Sequence, residues 1–209
     1  MSSLSHMKNR ADASGMTLVE VIFVVALFSM LMFVISDSVD TLYKANENTI
    51  SQAYQIDSAQ RGIGVFVKDL REMTFADNGA YPVVILEEHI LGFYSDIDQD
   101  DSVEYIEFEL VATTTFVKRI YNASSTSGTG YETTPDETIV ISRYIQNSEQ
   151  ATSTFYYFDN AGNQVVGAAA AADVRYITAR LIVDIDPSRE PKEFILRSSA
   201  ALRNLNENL

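Results

Sequence analysis

The sequence contains no cysteine, so no disulfide framework is available, and an exported protein of this size has to be held by its core, by assembly or by bound ions. Histidine is nearly as scarce: His6 lies near the N-terminus and His89 beside Glu87 and Glu88, where it reads as a solvated turn residue. There is neither a G-x-S-x-G elbow nor an H-E-x-x-H helix, so the patterns that carry nucleophilic or zinc-dependent hydrolysis are missing. Asp184 and Asp186 would share one face of a hairpin end, a pairing that turn solvation explains more simply than glycosidase chemistry. The chain is therefore expected not to be an enzyme. Basic residues number 15 against 29 acidic ones, for a formal charge of −14. A surface of that sign repels phosphate backbones, and no direct nucleic-acid binding is expected. Proline is absent between Met16 and Tyr81, which leaves a long stretch without the strongest helix breaker.

What is present is concentrated at the start. Residues 15–35 read GMTLVEVIFVVALFSMLMFVI, an apolar run with one formal charge, Glu20. Its length matches a bilayer core at the helical rise. Lys8 and Arg10 precede it and Asp37 and Asp40 follow it, so the positive-inside rule leaves the N-terminus cytoplasmic and exports the remainder. A cleavable secretory signal would need small residues spaced for cleavage after the apolar core, and bulky Met32, Val34 and Ile35 crowd that place. A carboxylate so deep in such a segment is costly unless it meets a partner, which marks Glu20 for function.

The segment Ser14-Gly15-Met16-Thr17-Leu18-Val19-Glu20 resembles the processing motif of type IV pilins and type II secretion pseudopilins. The resemblance implies that a membrane prepilin peptidase cuts after Gly15 and methylates the new amine of Met16, which stands where the family most often has phenylalanine. It also implies assembly with other pilin or pseudopilin subunits through the N-terminal helix, first in the cytoplasmic (inner) membrane and then in an extracytoplasmic filament. Glu20 would neutralise the amine of Met16 in its own chain or in a neighbour, since either charge unpaired resists burial. Further short stretches, 91–96, 104–108, 155–159 with Gly162, and 198–204, resemble the larger minor pilins and J-class minor pseudopilins. That subfamily implies a place at the tip or in initiation.

The expected fold class is α+β and pilin-like: a long N-terminal helix, transmembrane in its first part, packed on an antiparallel β-sheet domain. The organisation reads as a leader (1–15), a transmembrane half-helix (16–35), an amphipathic continuation (36–75) and a β-rich C-terminal domain (76–209). The helix is expected to run from Met16 to about Met73. Val39, Leu42, Thr49, Ala53, Ile56, Ile63, Val67 and Leu70 form its apolar stripe, and Gly62 and Gly64 loosen its last third or mark close packing or a bend there. Strands are expected at 82–86, 90–94, 103–111, 114–121, 138–144, 154–158, 176–185 and 193–202, as a meander of hairpins. Turns fall at 159–163 and 186–191, a mobile loop at 122–135, and the alanines 168–172 form one helical turn or a surface loop.

One turn carries unusual charge. Counting from Asp96, carboxylates Asp96, Asp98, Asp100, Glu104 and Glu107 occupy the first, third, fifth, ninth and twelfth places of an EF-hand-like loop, which would suit calcium. Asp101 stands where such loops need glycine, and the flanks are strand-like, so an acidic solvated β-turn is the other reading. Four aspartates within this short stretch repel one another unless a cation is present. For the whole chain, the function expected is that of a structural filament subunit. The alternative is a signal-anchored monomeric extracellular binding or adhesion domain.

Overall fold

In the computed structural model, residues 15–100, 102–124, 130–188 and 191–202 are described, so residues 1–14 of the leader, Asp101, the centre of the 122–135 loop, residues 189–190 of the 186–191 turn and the stretch from 203 onward, with the end of 198–204, lie outside the described residues. One helix, α1 (Leu18–Arg71), leads the chain, and two compact units divide it at Asn46 and Glu47. Thr17 caps the helix: its Oγ1 accepts a bond from the Glu20 N–H at 3.3 Å. Thr17 and Glu20 have the spacing of a capping box. At the other end Lys68 and Arg71 occupy the last turn, where positive charge complements the helix dipole.

Within the first unit, every residue from Leu18 to Ile35 is exposed, on all sides of the helix. That stretch rises about 27 Å, enough for the hydrocarbon core of a bilayer. The hydroxyl of Ser29 within it, and that of Ser38 just beyond it, are satisfied inside the helix, donating to the carbonyls of Val25 and Val34 at 2.8 and 2.9 Å. By length and composition α1 can cross a membrane.

Within the second unit α1 buries one side, carrying Gln52, Ala59, Gly62, Ile63, Phe66, Asp69 and Leu70. The spacing is helical, but the face is displaced from the expected stripe. Ile63 and Leu70 lie on it, whereas Thr49 and Ala53 are exposed and Ile56 and Val67 only half-buried. The displacement has a physical cause: Gln52 and Asp69 are polar residues buried with partners of their own, and Gly62 marks the closest approach. A Cβ on Gly62 would lie 1.8 Å from Cγ2 of Ile141, so only glycine lets the helix sit this near the sheet. The helix runs unbroken through Gly62 and Gly64: the loosening is absent, and the close packing expected as the alternative is found at Gly62.

Eight of the strands lie close to where the sequence pattern puts them. Five make one antiparallel meander, β1 (Val83–Leu86), β2 (Ile90–Ser95), β3 (Glu104–Val111), β4 (Thr115–Tyr121) and β5 (Glu137–Ser142), in that spatial order. The others form a second sheet, β6 (Phe155–Phe158), β7 (Gln164–Val165), β8 (Tyr176–Val183) and β9 (Phe194–Ala201), ordered β7-β6-β8-β9. The single meander is thus corrected to two sheets, and β7 was not expected. The chain leaves the first sheet after β5 because residues 143–152 turn twice, with Tyr144 and Ala151 both at positive φ. Asn147 then substitutes for a strand: its Oδ1 accepts from the Ile182 N–H at 2.9 Å and its Nδ2 donates to the Arg180 carbonyl at 2.8 Å. The alanine run is a 3-10 helix, Ala168–Asp173.

The strands of the first sheet alternate, as β3 shows with Glu104, Ile106, Phe108 and Leu110 inward. Phe66 of α1 meets both sheets. Its ring is edge-on to Phe108 of β3 at 5.2 Å and 5.8 Å from Phe155 of β6, so one helix residue closes the core between them. The architecture is α+β, a long apolar N-terminal helix whose later part packs on antiparallel sheets, a layout consistent with a pilin-like fold.

Candidate functional site

Two places carry the residues singled out above. The first is the start of α1. Gly15, Met16 and Glu20 are all exposed, and nothing lies within 4 Å of where a Gly15 Cβ would be. Glu20 sits in the first helical turn, four residues after Met16, where the positive end of the helix dipole favours a carboxylate. In hydrocarbon that dipole alone does not offset a bare charge, so a carboxylate here needs a cation beside it.

The second place is the turn between β2 and β3. Carboxylate oxygens of Asp96, Asp98 and Glu104 lie within 4.8 Å of one another. The turn is closed by its own bonds: the Gln99 N–H donates to Asp96 Oδ1 at 2.7 Å, the Ile97 N–H to Glu104 Oε2 at 3.1 Å, and the Ser102 N–H to Asp100 Oδ1 at 2.6 Å. Gln99 holds φ at 60°, which takes the sharp-turn role that the EF-hand reading assigned to position 101. Burial pushes the Glu104 carboxyl above its usual range, opposed by the Ile97 N–H and reinforced by the charges of Asp98 and Asp100.

The expected ligand set is corrected here. Glu107 does not join the group, because strand period two puts residues 104 and 107 on opposite faces of β3. Glu107 instead pairs with Arg119 across the sheet, as does Glu109. Asp100 is occupied by Ser102, and Asp101 lies outside the described residues. What remains is three carboxylates, a donor set suited to a hard cation. A calcium ion there would need further oxygens from backbone or water.

Known protein families, characterised proteins and solved structures offer no match to this chain. Its function therefore has to be argued from its own residues.

Other sequence candidates settle into the fold. His89 is half-buried, with Nδ1 2.9 Å from Thr154 Oγ1, which corrects its reading as a solvated turn residue. It lines a cavity of about 470 Å³ together with Glu88, Phe155 and Tyr157. Asp184 and Asp186 cap the end of β8: Asp184 accepts from the Asp186 N–H at 3.1 Å, and Asp186 from the Ser188 N–H at 3.0 Å. One group went unnoticed in the sequence, the tyrosines at 94, 105, 121 and 131. Its signal was available, since β2, β3 and β4 each carry a tyrosine at an outward position near the same end of the sheet.

Proposed function

We propose that this chain is a structural subunit of a type IV pilus or type II secretion-like filament, of the minor pilin or pseudopilin kind. It enters the cytoplasmic membrane by residues 16–35, is cut after Gly15 by a prepilin peptidase, is methylated at Met16, and assembles with other subunits through α1. The observation that carries the reading is the division of labour along this helix. From Leu18 to Ile35 it is apolar and exposed on every side, yet from Gln52 onward it buries one face against the sheets of its own unit. An apolar surface that its own chain leaves uncovered requires lipid or other helices around it. Glu20 is the one charge in that stretch and lies where a new amine at Met16 would need a counter-charge.

Mass spectrometry of the N-terminus, on protein recovered from membranes of cells that carry a prepilin peptidase, tests the reading. A chain that begins at N-methyl-Met16 is the expected result. A mature protein that keeps residues 1–15 would overturn it and favour the signal-anchored monomer.

A further inference from the structure

The outer face of the first sheet carries a row of aromatic rings. Tyr94, Tyr105 and Tyr121 are direct partners in the register of β2, β3 and β4, so their side chains emerge side by side. Ring centroids are 5.6 Å apart for Tyr94 and Tyr105 and 5.3 Å apart for Tyr105 and Tyr121. A fourth ring comes from beyond β4. Residue 123 bridges Tyr131, and the Glu132 N–H donates to the Asn122 carbonyl at 3.2 Å, which folds this segment back over the row. Tyr131 stacks on Tyr94 at 5.0 Å and stands 6.3 Å from Tyr105 at an interplanar angle of 59°.

The rings pack on one another and border an open space. A cavity of about 320 Å³ is lined by Val84, Tyr94, Tyr105, Tyr121, Tyr131 and Glu132. Gly92 is part of its construction, because a Cβ there would come within 2.2 Å of the Tyr105 hydroxyl; the bare backbone lets that ring lie across β2. Burial raises the phenol of Tyr131 to about 12 and moves those of Tyr94, Tyr105 and Tyr121 the same way, so all four rings are neutral at physiological pH. The charge nearby is negative. Glu132 is exposed at the rim, and Arg119, on the same face, is shared by Glu107 and Glu109, which leaves that trio with a net negative charge.

Four aromatic rings line this small cavity, aromatic π systems attract cations, and a carboxylate at the rim adds attraction for positive charge. That combination recognises cations with apolar surface, which lose little hydration on entry. A purely apolar ligand would gain nothing from Glu132, and an anion would be repelled. We propose that the pocket formed by Tyr94, Tyr105, Tyr121, Tyr131 and Glu132 binds an organic cation, an alkylammonium or guanidinium group. This proposal is independent of the filament reading, since it uses only the second unit's sheet.

The test uses the full chain in maltoside micelles free of choline lipids, with ligand-observed NMR titration. Three probes separate charge from shape and a free cation from a side chain: choline, its neutral isostere 3,3-dimethylbutan-1-ol, and capped arginine. At least one cation should bind about ten-fold more tightly than the neutral alcohol, as a cation–π site requires. Tighter binding of capped arginine would assign the pocket to the side chain of a protein partner, and tighter binding of choline to a free small cation. Tyr121→Ala and Glu132→Gln should each weaken the preferred cation several-fold. Gly92→Ala, whose methyl would push the Tyr105 ring aside from its hydroxyl end, should do the same while the far-UV spectrum stays that of the folded parent. Binding of neither cation more tightly than the neutral alcohol, no saturable binding of either cation at tens of millimolar, or unchanged affinity for the preferred cation in folded Gly92→Ala and Tyr121→Ala would overturn the proposal.

Discussion

Lys118 Nζ lies 2.6 Å from Asp69 Oδ2, with side chains only 5% and 3% exposed, so a buried ion pair joins β4 to α1. Burial pushes the Asp69 carboxyl above its usual range against the pull of Lys118. Loss of one partner strands a charge in the core. Lys118→Met or Asp69→Asn should each destabilise the second unit by about 3–5 kcal/mol, while Asp69→Leu combined with Lys118→Met should restore most of it. Thermal melting of these variants and of Asp69→Leu alone, followed by tyrosine near-UV circular dichroism, checks the non-additivity.

Two glycines in the same turn of α1 should respond with opposite signs. Gly62→Ala drives a methyl into Ile141 and should cost about 1–3 kcal/mol by overpacking. Gly64→Ala meets nothing within 4 Å and should gain about 0.5–1 kcal/mol from helix propensity. Denaturant unfolding of both variants and of Gly62→Ala with Ile141→Ala, which should recover part of the loss, decides the matter.

The contrast shows what the sequence could disclose. A hydrophobic count along α1 found Ile63 and Leu70, because burial and apolarity coincide there. It could not find Gln52, Asp69 or Gly62, whose burial depends on a carbonyl, an ammonium and a methyl group supplied by β8, β4 and β5. The strands were legible because β-branched and aromatic residues cluster between turns, and the meander put β1 to β5 and the β8–β9 hairpin beside their right neighbours; the split into two sheets and the pairing of β6 with β8 were not legible. The break between the sheets hangs on Asn147, whose side chain copies a backbone ladder and leaves no trace in a pattern of apolar residues. At the acidic turn the charges and the strand-like flanks were both evident; the EF-hand count still included Glu107, and the period of two along β3 turns that residue to the face opposite Glu104.

Glu104 gives the turn a pH dependence of definite sign. Its carboxyl holds a proton more tightly in the folded chain than in the unfolded one. Its contribution to stability is therefore fully present below the unfolded carboxylate value of about 4.3 and is lost as pH rises through the higher folded value. Glu104→Gln, which keeps an acceptor for the Ile97 N–H, should flatten that loss. Melting temperatures measured across this range in the presence of a chelator should fall with pH more in the parent than in the variant.

Processing has its own expected outcomes under the filament reading. Gly15→Val should leave residues 1–15 attached while the protein stays in the membrane, because the apolar segment is untouched. Normal cutting of that variant, seen by gel shift and mass, would contradict the motif. Glu20→Val should insert at least as well as the parent and fail at assembly. Filaments containing it at parental abundance would show that the counter-charge is dispensable.

Gln52 gives α1 a fixed azimuth. Its Nε2 donates to the Val183 carbonyl at 3.0 Å and its Oε1 accepts from the Ile185 N–H at 2.9 Å, so one amide grips two backbone groups at the end of β8. A roll of the helix by a single residue, about 100°, would break both bonds at once. The rotational setting of this part of α1 is thus a discrete choice. The flank it turns to solvent, with Ile50, Tyr54, Arg61 and Val65, is presented at one angle to the two sheets, as a key cut once for whatever meets it.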